Sequence, residues 1–410
     1  MTRRPLAVTA ALTATLLATA APTQAAPAAK ATAKTTRAST ATDGTPANGT
    51  SRSPSPSADG RYVAFSSDAT NLVPGDTDQR ADVFVKDLRT GRIVRVTAPE
   101  HGPGIKAAAT EPSLSADGRR VAFRSLVEDW SRPGHPPVRT SHVHVTDLRT
   151  GRTEQVDVGL GGEDGRFSGF PVIGPDGRSV MFTSGSSYVE IADHISNARL
   201  YERDLVRKAS TLIASSPRHV AVTHGSTSRD HRRVAYEDLS MGVSGRPTSE
   251  IHLLDRRTGE DRRLDLPHDG GQDHQSAHNP SVSADGRYVQ FTSAAPNLLP
   301  GGERNRPYVY LYDTRTGKLR RAAEEPASKA EFSGDGQRLA YEGRQVRLRD
   351  LRSGRTWDVS VTPEGAPSAK GGREPVPDAH GDAVAFTSFS PDLVPGKAPD
   401  VGHIYLRRLR

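Results

Sequence analysis

Short apolar runs recur along the chain, each directly after a polar turn. The first, Ser57–Phe65, is Ser-Ala-Asp-Gly-Arg-Tyr-Val-Ala-Phe. An Asp-Gly pair makes a tight turn because glycine adopts a positive φ at little cost. An apolar run after such a turn is typical of a buried strand. The block recurs, with degenerate fourth and seventh copies, at 57–65, 115–123, 174–182, 230–236, 283–291, 333–341 and 380–386.

A second block follows the first. Its clearest copy, 82–92, is Asp-Val-Phe-Val-Lys-Asp-Leu-Arg-Thr-Gly-Arg, a strand that runs into another tight turn. Residues 93–97 then alternate as an outer strand, and Pro112–Ser115 supplies an inner strand with proline at its start, where a missing N–H is tolerated. Each repeat is therefore predicted to be four antiparallel strands. Further copies of the second block lie at 142–152, 199–205, 251–260, 308–318 and 346–355.

One such sheet cannot bury both faces, whereas several packed around an axis can. The sequence therefore predicts an all-β, seven-bladed β-propeller of four-stranded antiparallel blades, with six or eight blades as the alternatives. One aromatic position of the repeat is predicted to form the core between blades. It is occupied by Phe65, Phe123, Phe182, Tyr236, Phe291, Tyr341 and Phe386.

The last repeat has no outer strand of its own, because the chain ends at its third strand. Residues 36–41 precede the first repeat, and we predict that they pair with 403–409, complete the last blade and remove an exposed edge. The single propeller domain would span 36–410. Its blades are predicted near 54–97, 112–158, 171–213, 225–266, 280–323, 330–361 and 375–410 with 36–41.

The blocks 57–65 and 82–91 resemble the TolB-like or WD40-like (PD40) propeller repeat, and the resemblance covers 36–410. It implies a propeller fold and a scaffold that binds protein. TolB carries an α/β domain before its propeller, and no such domain is visible here. We therefore do not carry over the role of TolB in the cell envelope.

The N-terminal segment has the pattern of a secretory signal. Met1–Arg4 is positive, Leu6–Ala20 is uncharged and rich in Ala and Leu, and the small residue Ala25 suits cleavage. We predict a signal peptide at 1–25 and a disordered linker at 26–35. The chain has no cysteine, so it has neither disulfides nor a lipid attachment site of that kind. The predicted product is a secreted monomer without a lipid anchor or a membrane span.

Composition and motifs narrow the function classes. The net charge of +7 is spread through turns and aromatic residues make up 5%, so no stacking platform for nucleic acid is visible. Gly-x-Ser-x-Gly and His-Glu-x-x-His are absent. We therefore predict that the chain is not an enzyme but an exported scaffold for a protein or a cell-wall glycan. The alternative is a secreted carbohydrate-active lyase or hydrolase with its site in the central channel.

Two clusters could hold a metal, although the sequence assigns no cofactor and no catalytic residue. Asp76, Asp78 and Asp82 loosely resemble a Ca²⁺ loop but lack the glycine and distal glutamate of an EF-hand, so solvated turn residues are the favoured interpretation. His268, His274 and His278 lie in a glycine-rich loop, and zinc or copper there is the alternative to flexible, unligated histidines.

The repeat also predicts where a ligand binds. The Asp-Gly and Thr-Gly turns lie on one face of the ring, and long, variable connections such as 126–141 and 267–279 lie on the other. Variable loops on a rigid scaffold are the usual binding surface. We therefore expect the ligand on the long-loop face.

Overall fold

The computed structural model describes most of the chain. The ranges are 33–96, 105–131, 137–159, 167–185, 187–189, 194–196, 198–215, 219–221, 227–241, 247–270, 276–303 and 305–409. In these ranges the chain forms strands and turns, and none of it is a helix that could span a membrane.

The strands form four-stranded antiparallel units, called blades 1 to 7 here, and one parallel pair, Phe167 with Ser141, joins blades 2 and 3 into one sheet. Blade 1 contains β2 (Ser51–Pro56), β3 (Tyr62–Ser67), β4 (Asp82–Asp87) and β5 (Ile93–Val96). Blade 2 contains β6 (Ile105–Leu114), β7 (Arg120–Asp129), β8 (Val138–Asp147) and β9 (Arg152–Gln155). Blade 3 contains β10 (Phe167–Ile173), β11 (Ser179–Gly185), β14 (Arg199–Asp204) and β15 (Ala209–Ser215), and the hairpin β12 (Ser187–Val189) and β13 (His194–Ser196) lies in its connection.

The remaining blades follow the same order. Blade 4 contains β16 (His219–Ala221), β17 (Arg233–Met241), β18 (Pro247–Asp255) and β19 (Glu260–Arg263). Blade 5 contains β20 (Ala277–Val282), β21 (Tyr288–Ser293), β22 (Tyr308–Asp313) and β23 (Lys318–Arg321). Blade 6 contains β24 (Ala330–Phe332), β25 (Arg338–Glu342), β26 (Val346–Asp350) and β27 (Thr356–Asp358). Blade 7 contains β28 (Arg373–Pro377), β29 (Ala383–Ser388), β30 (His403–Arg408) and, from the N-terminus, β1 (Lys34–Arg37).

An apolar cluster fills each interface between successive blades. Leu114 and Phe123 of blade 2, for example, pack against Ala64 of blade 1. The ring is closed, because Ala385 and Ile404 of blade 7 pack in the same way against Phe65 of blade 1. The fold class predicted from the repeats is therefore confirmed, and the described residues supply seven blades.

The repeated aromatic position is buried in every blade, with at most 5% of any of these seven residues exposed. In six blades the ring stacks on a second ring at the facing position of the third strand, as Phe65 does on Phe84 at 5.8 Å between centroids. In blade 4 the stacked partner of Tyr236 is His252, at 5.3 Å. The sequence pattern had not singled out this second position, because histidine occupies it in two blades.

The N-terminal strand closes blade 7, as predicted. β1 pairs antiparallel with β30, from Lys34 opposite Arg408 to Arg37 opposite Tyr405. The pairing begins two residues before the predicted strand, inside the segment that we had expected to be a linker. The contact with β30 continues after Arg37, since Ala38 N and Ser39 N both donate to Ile404 O, at 2.7 and 3.4 Å. Ala38 is buried in the cluster between blades 7 and 1.

The inner strands of five blades share a bulge at which a residue other than glycine adopts a left-handed conformation, with φ between 52° and 54°. A carboxylate from the preceding blade accepts the backbone N–H of four of these residues. Glu374 Oε2, for example, lies 2.9 Å from Ser53 N, and Glu111 Oε2 lies 2.8 Å from Phe170 N. The bulge residues are Ser53, Glu111, Phe170, Asn279 and Glu374, and proline follows each of them.

Candidate functional site

All seven blades line a central cavity of about 650 Å³. Its walls are the ends of the inner strands, and its rim is formed by the Asp-Gly turns and their equivalents. Backbone hydrogen bonds link neighbouring turns of the rim, from Ala58 N to Ala116 O at 2.9 Å and from Ala379 N to Ala58 O at 3.1 Å. The volume lies in the usual range for small-molecule sites. The cavity is therefore a ligand-sized space with a rigid rim.

The turn of blade 4 departs from the repeat at two positions on this rim. Arg229 stands where the other six blades have alanine, proline or glycine, and His231 stands where they have the turn glycine. His231 keeps the left-handed conformation of that glycine, with φ of 55°. A side chain in this conformation is strained, and such strain concentrates at functional sites. From the sequence we had interpreted these departures as degeneracy of the fourth repeat.

Arg229 reaches across part of the cavity mouth. Its backbone N–H keeps the rim pattern by donating to Ala284 O of blade 5 at 3.0 Å. Its Nη2 passes beyond blade 5 and donates to Gly334 O of blade 6 at 2.9 Å. Among the described residues no carboxylate forms an ion pair with this exposed guanidinium. Its remaining N–H groups can therefore bind an anionic ligand.

The imidazole of His231 is oriented by a hydrogen-bonded chain through Glu202 to Arg256. Its Nδ1 lies 3.0 Å from Glu202 Oε1, and Glu202 Oε2 accepts a hydrogen bond from Arg256 Nη1 at 2.7 Å. Burial alone would raise the pKa of Glu202, but the bonds to His231 and Arg256 outweigh it and lower that pKa to about 2. The bond to Glu202 in turn raises the pKa of His231 above 6.5. With Nδ1 engaged, Nε2 is the nitrogen that can take up a proton.

Glu331 is the third departure from the repeat in this cavity. At its position the inner strands of five other blades carry the smaller residues Ser55, Ser113, Val172, Ser281 and Val376. Glu331 is 4% exposed, and burial raises the pKa of its carboxyl to about 8. The group therefore carries a proton at neutral pH, as a general acid requires.

The two other carboxylates of the cavity have a structural task. Asp176 Oδ1 accepts the backbone N–H of Arg178 at 2.9 Å, and Asp378 Oδ1 accepts that of Asp382 at 2.9 Å. Each therefore stabilises its own turn. Burial raises the pKa of Asp378, although the hydrogen bonds within its turn oppose this effect.

The structure brings together the three aspartates that the sequence had marked. Asp76, Asp78 and Asp82 each place an oxygen within 4.8 Å of the others. Asp76 and Asp82 are buried, so the favoured interpretation of solvated turn residues does not describe them. None of the three lines the central cavity.

The histidine candidates do not form a comparable group. His268 Nδ1 lies 2.8 Å from Asn297 O, and His278 Nδ1 lies 2.8 Å from Glu237 Oε1. His274 falls outside the described residues. Within the described ranges, the aspartate group is where three possible metal ligands come together.

The cavity lies at the other end of the ring from the expected ligand face, because its rim consists of the Asp-Gly turns. The sequence had given no role to Arg229, His231 or Glu331. A comparison of the repeats could have found them, because each is larger than the residues at the equivalent positions of most other blades.

Comparison with solved structures supports the fold. An oligogalacturonate lyase in complex with manganese is similar, with a TM-score of 0.58 and 17% identity over 92% of this chain and 96% of that one. An oligogalacturonate lyase from Vibrio parahaemolyticus has a TM-score of 0.58 and 13% identity over 93% and 95%. The β-propeller domain of the Trilobed protease from Pyrococcus furiosus has a TM-score of 0.51 and 12% identity over 83% and 91%. No protein-family profile and no curated protein matches the sequence. At these identities the similarity shows a propeller fold.

These comparisons correct one prediction. We had predicted that the chain is not an enzyme, because the motifs Gly-x-Ser-x-Gly and His-Glu-x-x-His are absent. The two lyases are enzymes, and the similarity covers 96% and 95% of their chains. A chain that consists almost entirely of a propeller can therefore be an enzyme, and the prediction was wrong.

Proposed function

We propose that this chain is an exported carbohydrate-active lyase that cleaves acidic oligosaccharides in the central cavity. One observation carries the proposal. Three departures from an otherwise regular repeat put a guanidinium, an imidazole and a protonated carboxyl around the same cavity. Local rules of a fold are broken chiefly where function requires it.

We also propose that residues 1–25 direct export and that the chain belongs to the TolB-like repeat family.

The three residues supply the parts of a β-elimination. Arg229 binds the carboxylate of a uronate unit and stabilises the negative charge that develops when the neighbouring C5 loses its proton. His231 Nε2 takes that proton, and Glu202 stabilises the imidazolium that results. Glu331 gives its proton to the departing O4 as the C4–O bond breaks and the C4=C5 bond forms. The products are one fragment whose new non-reducing end is the unsaturated uronate and a second fragment with a new reducing end, so atoms and electrons balance.

Elimination fits this cavity better than hydrolysis. A glycoside hydrolase of the usual kind pairs its acid with a second carboxylate that acts as base or nucleophile. The two other carboxylates of the cavity, Asp176 and Asp378, are held by the backbone of their own turns. The solved structures with lyase activity support the same choice.

The test is to incubate the protein with oligogalacturonides and with the same oligosaccharides after reduction of their carboxylates. A lyase gives products with the ultraviolet absorbance of a conjugated C=C bond and without the added mass of water, from the acidic substrates only. Glu331→Gln should remove the activity, whereas Glu324→Gln, at an exposed position in the link between blades 5 and 6, should keep it.

Two other outcomes of this experiment would contradict the proposed lyase activity. Products that carry the mass of water would make the protein a hydrolase and contradict the elimination. Binding of oligosaccharide or of another protein without any product would favour a non-catalytic scaffold, the function that we had first predicted.

A further inference from the structure

The connection between β3 and β4 gathers negative charge that the protein only partly neutralises. Asp76, Asp78 and Asp82 converge there, and 1% of the Asp76 side chain and 7% of the Asp82 side chain are exposed. Arg95 on β5 forms ion pairs with Asp76 and Asp82. Among the described residues, one guanidinium therefore neutralises this group of three carboxylates only in part.

Arg95 lies closer to the carboxylate of Asp82 than to that of Asp76. Its Nη2 lies 2.6 Å from Asp82 Oδ2, but 3.5 Å from Asp76 Oδ1. Among the described residues, none donates a hydrogen bond to the buried Asp76 Oδ1, and Asp78 Oδ1 accepts the backbone N–H of Arg80, at 3.1 Å. A buried carboxylate oxygen without a donor is costly, and a bound cation satisfies it.

The position suggests what a cation would stabilise. The connection ends at Ala81, whose carbonyl accepts a hydrogen bond from Ala109 N of blade 2 at 2.6 Å. Arg80 Nη2 lies 3.8 Å from Glu128 Oε2, also in blade 2. The aspartates therefore lie on a connection that touches the next blade, and fixing it would strengthen the interface between blades 1 and 2.

We propose that Asp76, Asp78 and Asp82 bind a hard divalent cation of the Ca²⁺ type that fastens this connection to blade 2. The ligands are all carboxylate oxygens, which suit Ca²⁺, and water or carbonyl oxygens complete a coordination number of about 6–8. Arg95 holds Asp82 in place beside the ion. The site is structural and independent of the proposed catalysis, because none of its residues lines the cavity.

The experiment uses the full protein after removal of metal with EDTA. Titration with CaCl₂ in a calorimeter should give a saturable heat, and Ca²⁺ at a hundred times its Kd should raise the Tm by roughly 3–4 °C. Asp78→Asn should lose both effects. Asp78 is only half-buried, so this variant is expected to fold; Asp76→Asn is the second variant.

A control comes from the equivalent connection of blade 5. It carries Pro300, Gly301 and Glu303 without the other acids. Glu303→Gln should keep the full Tm shift. The proposal is overturned if Ca²⁺ at millimolar concentration gives neither heat nor shift in the wild type, which would make Arg95 the sole counter-ion. It is also overturned if Asp78→Asn and Asp76→Asn both respond like the wild type.

Discussion

Replacing Glu331 by glutamine should stabilise the protein at pH 8 and leave its stability unchanged near pH 5. Burial raises the pKa of Glu331 from 4.5 to about 8 in the folded state, whereas the unfolded chain exposes an ordinary carboxyl. Between these two pKa values the folded state binds more protons than the unfolded state. The free energy of unfolding of the wild type therefore falls as the pH rises through this range.

The size of the effect follows from the pKa difference. One pKa unit corresponds to about 1.4 kcal/mol, so the rise from 4.5 to about 8 amounts to about 5 kcal/mol at full effect. Solvent that enters the cavity mouth screens part of the charge, and we expect roughly 2–3 kcal/mol to be lost between pH 5 and 8. Glutamine has a similar shape and does not titrate, so the variant should not show this loss.

The assay is urea unfolding at pH 5, 6, 7 and 8, followed by tryptophan fluorescence. Glu324→Gln is the matched control, because Glu324 is exposed and its removal should leave the wild-type pH dependence intact. If Glu331→Gln and the wild type lose the same free energy between pH 5 and 8, Glu331 ionises at an ordinary pKa. Its role as a general acid would then be refuted.

Three further predictions concern the rim and the closure of the ring. Arg229→Ala should raise the KM for acidic oligosaccharides about 10–100-fold in steady-state kinetics, because it removes the binding free energy of one charged hydrogen bond. Arg229→Lys keeps the positive charge and should recover part of this loss. His231→Gly restores the repeat and relieves about 1 kcal/mol of left-handed strain but forfeits the bond to Glu202. Its stability in urea should therefore change by less than about 1 kcal/mol while product formation is abolished; retained activity would exclude His231 as the base. A chain that starts at residue 38 lacks β1 and should melt roughly 5–10 °C below a chain that starts at residue 33, and equal melting by calorimetry would show that β1 does not stabilise the ring.

The fold could be predicted because each blade repeats a short rule in its own sequence. Ser-Ala-Asp-Gly followed by Val-Ala-Phe fixes a turn and a buried strand locally, and the count of such blocks gives the ring. The closing strand was predictable from the missing outer strand of the last repeat. Its start at Lys34 was not, because the pairing with β30 is made by backbone hydrogen bonds that depend little on the side chains of Lys34–Arg37.

The candidate site could not be predicted in this way, because its chemistry depends on neighbours that are distant in sequence. Glu331 can serve as the proposed general acid only because it is buried in the cavity, and His231 owes its raised pKa to Glu202 on another blade. The aspartate cluster lies between these cases. Its spacing was visible in the sequence, but the burial of Asp76 and Asp82 was not.

The inner-strand bulges make the ring non-modular, although its sequence looks like seven interchangeable copies. Ser53 in blade 1 depends on the carboxylate of Glu374 in blade 7, and Phe170 in blade 3 depends on Glu111 in blade 2. Among the described residues, blades 2, 4, 6 and 7 supply such an acceptor, so a bulged blade moved behind one of the other three would lack it. Exchange of single blades is therefore restricted to positions that follow a blade with an acceptor.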